Sequence, residues 1–193
     1  MRDLIRMVVI LTAICGLSAL VLSYANYATK SQREYQILKY VKEPSIKAVL
    51  SGYENDPIKD RVVMEVPSKE GEEPLARNIF LARKGGRLIS VAYGTSAQGY
   101  HGAIEVMVGI SMEGTLTGIS VMTHTETPGL GARVVESEFT NQFEGLGLTP
   151  KLQVSGEGGV IDSVSGATIS SKGVVKAVRR ALELFPKVKQ EVS

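Results

Sequence analysis

A long apolar stretch at the N-terminus is the feature that most constrains how this chain can fold. No charged residue interrupts the run from Met7 to Tyr24, whereas Arg2 and Arg6 lie just before it. A run of roughly 18 uncharged residues is at the lower limit for a helix that crosses a membrane. We therefore expect residues 1–28 to form a single membrane anchor that precedes a separate folded part.

The residues around this run predict its orientation. Arginine before the run, and Tyr24 and Tyr27 at its far edge, favour an N-terminus in the cytoplasm. The rest of the chain would then lie on the extracytoplasmic side of the inner membrane. A cleaved signal peptide is the alternative, because Ser23–Ala25 supplies small residues at a suitable spacing. The run is long for the apolar region of a signal peptide, which favours a retained anchor.

Composition argues against several functional classes. The formal net charge is +2 with both signs mixed along the chain, which does not fit a dedicated nucleic-acid binder. With two histidines, His101 and His124, and one cysteine, Cys15, a zinc or iron–sulfur centre held by this chain alone is not expected. Cys15 has no internal disulfide partner and is interpreted as a thiol in the membrane helix. His124 is expected to hydrogen-bond its own loop, and no chemical role is predicted for His101.

Two segments with different patterns follow the anchor. Ser31 and Glu34 have the spacing of a capping box, which predicts a connecting helix within residues 29–51 that Pro44 ends. Residues 52–75 are polar and contain prolines and glycines, so we expect mainly loop there.

Alternating apolar residues after Asn78 predict an antiparallel sheet. One hairpin is expected to turn at Gly85–Gly86 and another at Glu113–Gly114. One helix is expected over residues 132–143. The sum is an α+β domain over residues 52–193, with helices packed on one side of the sheet and one transmembrane helix before it.

The C-terminal part of the domain carries its clearest helix, which is expected to begin near Ser170 and to end at Pro186. The apolar face of this helix is formed by Val174, Val178, Ala181, Leu182 and Phe185.

Two polar, glycine-rich loops are candidates for a binding site. The first, HTETPGLGAR, runs from His124 to Arg133 and follows a predicted buried strand. The second, DSVSGATISSKGV, runs from Asp162 to Val174 and opens the last helix, whose free N–H groups and dipole favour a phosphate. By pattern alone, an ordinary tight turn explains the first loop and a helix cap explains the second.

At these two loops the chain resembles a known family. DSVSGATISS resembles the flavinylation motif of the FMN-binding domain family, Asp-x-x-Ser/Thr-Gly-Ala-Thr, and HTETPGLGAR resembles the second signature of that family. Their order after one N-terminal span is similar to the G subunit of Rnf complexes and to the C subunit of sodium-translocating NADH:quinone reductases. The short length of the chain favours the Rnf-type protein.

The resemblance implies a covalent cofactor. In the family, a flavin transferase joins FMN through its phosphate to the threonine of the motif, which here is Thr168. The other motif residues implied to recognise the transferase and border the cofactor are Asp162, Ser165, Gly166 and Ala167. The residues of the first loop implied to touch the flavin ring are Thr127, Gly129, Leu130 and Gly131.

Four further residues have weaker or supporting assignments. The resemblance implies that Glu126 orders the first loop. Lys151 is a candidate for a cation near the pyrimidine edge of the ring, and a solvated surface lysine is an equal alternative. Ser170 and Ser171 do not match the acceptor position and are interpreted as residues of the helix start.

The resemblance also implies the role of the chain. It would be a membrane-anchored electron carrier in an Rnf-type ferredoxin:NAD⁺ oxidoreductase that translocates Na⁺ or H⁺. Its partners would be an iron–sulfur-bearing pair of membrane subunits, a second flavin subunit, the flavin transferase and the lipid bilayer. The chain has no GxGxxG sequence, so no NAD site is expected in it.

Three alternatives stay open at this point. The chain could be a stand-alone flavinylated extracytoplasmic reductase. It could be the C subunit of a sodium-translocating NADH:quinone reductase. It could also be a non-redox adhesion or sensor domain, in which the hydroxyl-rich loop is only a helix cap.

Overall fold

The first of two compact units is a single long helix. The computed structural model describes residues 2–37, 40, 42–66 and 75–192. The chain divides into the units Met1–Tyr40 and Val41–Ser193. Helix α1 (Arg2–Ile37) forms the first unit, and its part Arg2–Lys30 is long and apolar enough to cross a membrane.

Helix α1 continues past the apolar stretch without a break. The prediction that a new helix starts at Ser31 is therefore wrong. No glycine or proline lies between Gly16 and Ile37, so no residue that usually breaks a helix separates the two predicted pieces.

The second unit begins with a short helix, α2 (Glu43–Val49). Pro44 lies in its first turn, where proline fits because the N–H group there has no partner within the helix. Pro44 thus begins a helix, and the prediction that it ends one is wrong. Leu38, Lys39 and Val41 of the predicted connecting helix lie outside the described residues.

Five antiparallel strands in sequential order form the sheet of the second unit. They are β1 (Arg61–Val66), β2 (Leu75–Lys84), β3 (Arg87–Gln98), β4 (Ala103–Ser111) and β5 (Leu116–Thr123). Gly85, Gly86 and Gly114 have positive φ in the turns of the two predicted hairpins. The structure confirms both hairpins and the α+β class.

Strand β1 lies in the segment for which the sequence predicts loop, so that prediction is wrong there. Val62 and Met64 are half-buried against the core, whereas Arg61, Val63 and Glu65 are exposed. In the described part of the sheet, β1 is an edge strand that pairs with β2. Partial burial at a sheet edge gives only a weak apolar alternation in the sequence.

Helix α4 (Thr168–Val192) covers one face of the sheet. All five apolar residues predicted for its inner face are buried. The Tyr93 hydroxyl donates to the Ala181 carbonyl at 2.7 Å, and Thr95 Oγ1 donates to the Ala177 carbonyl at 2.9 Å. The prediction that Pro186 ends the helix is wrong, because α4 continues through it to Val192.

Helix α2 packs on the opposite face of the sheet, so the expectation of helices on one side is wrong. Val108 contributes to the core beneath α4, and neighbouring residues of a strand point to opposite faces. Gly109 therefore faces the other way, where a Cβ atom would overlap the carbonyl oxygen of Val49 in α2. Thr117 Oγ1 donates to the same carbonyl at 2.6 Å.

Short helices follow β5 in place of the single helix predicted over residues 132–143. They are a 3-10 helix at Gly131–Val135, α3 at Ser137–Thr140 and a 3-10 helix at Asn141–Phe143. Phe139 and Phe143 are buried, with ring centroids 5.5 Å apart. These two rings anchor the segment to the core and so fix the loop that precedes it.

Candidate functional site

The two loops that the sequence indicates meet at the first turn of α4. Gly166 has a φ of +75°, and a Cβ atom added there would lie 2.8 Å from Leu130 Cδ1. A Cβ atom added at Gly131 would lie 2.8 Å from Ser170 Oγ. Glycine at both positions allows the two segments to approach this closely. Both motifs therefore belong to one site.

Glu126 is the polar centre of this contact, and its side chain is only 5% exposed. Its Oε1 accepts hydrogen bonds from the backbone N–H groups of Tyr100 at 2.9 Å and His101 at 3.1 Å. Its Oε2 accepts a hydrogen bond from the Ser170 hydroxyl at 2.5 Å. One carboxylate thus joins the first loop, α4 and a third segment around residue 100.

The surroundings of Glu126 keep its carboxyl group ionised. Burial by itself raises the pKa, because a charge is poorly solvated inside a protein. The hydrogen bonds from Ser170 and from the N–H groups of His101 and Tyr100 favour the charged form and outweigh burial, so the pKa lies below its ordinary value. Since both oxygens accept hydrogen bonds, Glu126 holds segments together and does not serve as a proton donor.

The third segment is the tight turn between β3 and β4. The Gly99 N–H donates to the Gly102 carbonyl at 2.8 Å. A Cβ atom at Gly99 would lie 2.6 Å from Glu126 Oε1, and one at Gly173 would lie 3.1 Å from Gly99 Cα. The turn therefore lies directly against both Glu126 and α4. No function is predicted for this turn from the sequence, although two glycines flank an aromatic pair there.

Thr168 is the first residue of α4, two positions before the predicted start. Its side chain is exposed, and its hydroxyl has no hydrogen-bond partner among the described residues. The Ala167 carbonyl accepts the Ser171 N–H at 3.0 Å, so the N–H groups of Thr168, Ile169 and Ser170 have no partner within the helix. A free hydroxyl thus lies at a helix end that favours a phosphate.

The backbone before α4 is held by its neighbours. Ser171 Oγ accepts a hydrogen bond from the Val164 N–H at 3.0 Å and donates one to the Ala167 carbonyl at 3.0 Å. Gln142 accepts the Asp162 N–H at 2.7 Å and donates to the Asp162 carbonyl at 3.2 Å. These bonds fix the backbone while the side chains of Asp162 and Ser165 stay exposed.

Both serines after Thr168 therefore do more than start a helix. The interpretation of Ser170 and Ser171 as helix-start residues omits their partners. Ser170 connects α4 to Glu126, and Ser171 closes the loop that carries the motif. Gln142 is a third residue that sequence reasoning missed, because nothing local marks it as a partner of Asp162.

Comparison with known proteins identifies the family. Residues 99–183 match the FMN-binding domain family. The chain is 33% identical to the G subunit of an ion-translocating oxidoreductase complex from Cereibacter sphaeroides (strain ATCC 17029 / ATH 2.4.9), over 91% of this chain and 81% of that protein. The chain belongs to this G-subunit family. Its FMN-binding domain contains the turn, both loops and the first turns of α4.

Two further comparisons agree with this family. The G subunit of the proton-translocating ferredoxin:NAD(+) oxidoreductase complex of Clostridium ljungdahlii is 29% identical, over 90% of this chain and 86% of that protein. The crystal structure of NqrC from Shewanella oneidensis aligns with a TM-score of 0.52 and 21% identity, over 81% of this chain and 76% of that chain. The latter shows a shared fold.

The site of this G-subunit family member has the parts that FMN needs. The exposed Thr168 hydroxyl and the free N–H groups of α4 suit the phosphate. Leu130 offers an exposed apolar side chain beside the bare backbone of Gly129, which suits a flat ring. Thr127 is exposed next to them, whereas Gly131 is buried against Glu126.

Lys151 and the two histidines differ in how they are connected to the site. Lys151 is exposed, and its ammonium has no hydrogen bond or ion pair among the described residues that would link it to the two loops. His124 Nδ1 accepts the Glu126 N–H at 3.3 Å, which confirms that His124 bonds its own loop. His101 Nδ1 lies 3.4 Å from Thr127 Oγ1. The described residues include no cluster of His, Cys, Asp and Glu that could hold a metal ion.

Proposed function

We propose that this chain is a membrane-anchored FMN carrier and that FMN is joined through its phosphate to Thr168. The observation that carries the proposal is the state of the Thr168 hydroxyl. It is exposed, has no partner among the described residues, and lies at the start of α4 where the two loops meet. The hydroxyls of Ser170 and Ser171 donate hydrogen bonds to Glu126 and to the Ala167 carbonyl. Ser163 and Ser165 lie outside the acceptor position of the motif.

The neighbouring residues divide into two groups. Asp162, Ser165, Gly166 and Ala167 would form the sequence that the flavin transferase recognises. The first three are exposed on a backbone that hydrogen bonds hold in place, whereas Ala167 is buried. The first loop would hold the ring through Thr127, Gly129, Leu130 and Gly131, and Glu126 orders that loop through its three hydrogen bonds. Lys151 stays a weaker candidate for a cation that lies near the pyrimidine edge of the flavin ring.

FMN at this position would supply reversible electron transfer. The residues of the chain would bind the phosphate, orient the ring and leave one side open to a redox partner. A covalent tether suits a domain outside the cytoplasm, because FMN lost there could not be replaced from the cytoplasmic pool.

We further propose that the chain works within an Rnf-type ion-translocating oxidoreductase complex. The support is identity to G subunits over most of their length, one of which carries the name of a proton-translocating ferredoxin:NAD(+) oxidoreductase complex. The likeness to NqrC concerns the fold alone, so it gives less support to the alternative of a quinone reductase. Partners would be iron–sulfur membrane subunits and a second flavin subunit.

The proposed organisation has an anchor, a connecting segment and a domain, and the connecting segment contains the boundary between the two units at residues 40 and 41. Residues 1–28 would anchor the chain in the inner membrane, and residues 52–193 would form the FMN-binding domain outside the cytoplasm. Residues 29–51 would connect the anchor to this domain. The apolar stretch Arg2–Lys30 and the arginines before its uncharged part support this arrangement.

The test is the intact mass of the full-length chain produced together with a flavin transferase. Wild type is expected to gain the mass of FMN less one water and to give a fluorescent band after denaturing electrophoresis. Thr168→Ala should lose both signals, and Thr168→Ser should regain them because the hydroxyl returns.

Ser163→Ala is the matched control, since it removes a nearby hydroxyl that the motif does not specify. It should be modified like wild type. An unmodified wild-type chain, in a host whose transferase modifies a control protein, would contradict the covalent attachment. Modification that persists in Thr168→Ala would move the attachment to another residue.

A further inference from the structure

Each of the three segments joined by Glu126 presents one large apolar side chain to solvent. Tyr100 in the turn is 63% exposed, Leu130 in the first loop 45% and Ile169 in the first turn of α4 53%. We call these three residues the apolar patch. Large apolar side chains exposed close together are typical of a binding surface on a globular domain.

The backbone that carries Tyr100 is fixed. Its N–H is bonded to Glu126 Oε1, and Gly99 and Gly102 on either side leave no room for a Cβ atom against Ile104 and the side chain of Thr125. This backbone position therefore does not depend on the Tyr100 side chain. The tyrosine is held at the site without being needed for packing.

The ring of Tyr100 is also supported by the neighbouring ring in the turn. The His101 ring packs against it edge to face with centroids 4.7 Å apart, and His101 Nδ1 in turn lies 3.4 Å from Thr127 Oγ1. Tyr93 is the contrast, because its ring is fully buried and its hydroxyl is bonded to α4. An aromatic side chain on a rigid turn can contact a ligand at low entropic cost.

The apolar patch lies beside Thr168. Ile169 follows Thr168 directly, Leu130 touches Gly166 two residues before it, and the Tyr100 N–H and the Ser170 hydroxyl bond to the same carboxylate. A planar aromatic group attached at Thr168 would have apolar surface available on all three segments.

We propose that Tyr100 and Ile169 contact the isoalloxazine ring of FMN and that, with Leu130, they form the surface on which the ring rests. This inference rests on the proposed function and adds two ring-contacting residues to it. Tyr100 supplies an aromatic face or edge, and Ile169 supplies an apolar contact next to the point of attachment.

Flavin fluorescence of the full-length flavinylated chain in detergent tests this contact, because a tyrosine ring in contact with a flavin quenches its emission. Tyr100→Leu should raise the fluorescence yield severalfold over wild type, and both Tyr100→Leu and Ile169→Ala should lower the fluorescence anisotropy as the ring becomes mobile. Tyr53→Leu makes the same chemical change in the half-buried segment before β1 and should match wild type. A yield and anisotropy in Tyr100→Leu equal to those of wild type would overturn the proposal.

The intact mass separates a failure of this inference from a failure of the proposed function. If wild type carries no FMN on Thr168, the attachment is refuted, and FMN added to the same chains tests the apolar patch by itself. Tyr100→Leu should then weaken FMN binding about fivefold relative to wild type, which corresponds to about 1 kcal/mol for an aromatic contact. Equal affinity, or no binding to wild type, would overturn the inference.

Discussion

At the scale of single residues, Glu126 shows how a buried charge can organise a site without reacting. Its two oxygens accept three hydrogen bonds from two other segments, the turn around Tyr100 and the first turn of α4, which are remote from it in the sequence. A neutral side chain of the same shape would keep the packing but weaken these bonds, because bonds to an ionised acceptor are the stronger ones. The charge itself therefore contributes to stability.

This contribution should depend on pH. The pKa of Glu126 is lower in the folded protein than its ordinary value, so the stabilisation is fully present above the ordinary range and is lost as the pH falls through the folded value. Glu126→Gln should lower the free energy of unfolding by about 2 kcal/mol at neutral pH. The difference from wild type should shrink when the same measurement is made at about pH 4 or below.

Urea titrations of the full-length chain in detergent, followed by tyrosine fluorescence, measure both effects. Glu136→Gln is the matched control, because Glu136 is an exposed carboxylate in the same region whose ion pair with Arg133 spans 3.2 Å. It should change stability by less than about 1 kcal/mol. If the free energies of unfolding of wild type and Glu126→Gln differ by the same amount down to low pH, an ionised, hydrogen-bonded Glu126 is ruled out.

The residues of the site were predictable only where the signal was local. The motif around Thr168 and the loop around Gly129 are short stretches, so the sequence alone indicates both. The bond between Ser170 and Glu126 joins residues 44 positions apart, and the bond from Tyr100 spans 26 positions. Such pairs follow from the register of β3 to β5 against α4, which residue patterns do not specify.

At the scale of the helices and strands, one of two paired glycines decides how closely α2 can lie on the sheet. Gly109 and Gly118 are paired across β4 and β5 on the face that α2 covers. A Cβ atom at Gly109 would overlap the Val49 carbonyl and the Thr117 hydroxyl, whereas one at Gly118 would make ordinary contacts, 3.4 Å from Val49 Cα. The same substitution should therefore have opposite consequences at two adjacent positions.

Gly109→Ala is expected to lower the free energy of unfolding by about 1–3 kcal/mol, because the helix must move away from the sheet. Gly118→Ala should be neutral or stabilising by up to about 1 kcal/mol, since the unfolded chain has fewer backbone conformations to lose with alanine than with glycine. Urea titrations of the two variants beside wild type measure the difference. Equal losses would show that α2 does not rest on Gly109 as described.

Element boundaries were harder to predict than element types. Pro186 has the properties of a helix end, yet Val188 is fully buried beyond it and Lys189 donates to the Met112 carbonyl at 2.8 Å. These tertiary contacts favour the continued helix over the local preference of proline. Strand β1 was missed for the related reason that its partner β2 defines it, while its own residues bury little surface.

At the scale of the whole molecule, the proposed function requires the two units to be in different surroundings. In that proposal, the apolar stretch of α1 would lie in lipid, and the FMN-binding domain would need access to redox partners. Arg2 and Arg6 at one end of the uncharged run favour retention of that end in the cytoplasm. The single cysteine, Cys15, lies within the run, so Cys15→Ser gives a background for labelling at chosen positions.

In that background, Ser51→Cys places a thiol at an exposed position of the second unit, and Asp3→Cys places one at the start of α1. A membrane-impermeant maleimide applied to spheroplasts should label Ser51→Cys at once and Asp3→Cys only after permeabilisation, because the membrane would separate the two positions. The unsubstituted Cys15→Ser chain controls for background labelling.

Labelling of Asp3→Cys in intact spheroplasts would reverse the orientation. A chain that is released by washing and lacks the mass of its N-terminal residues would identify α1 as the source of a cleaved signal peptide, and the anchor would have to be abandoned.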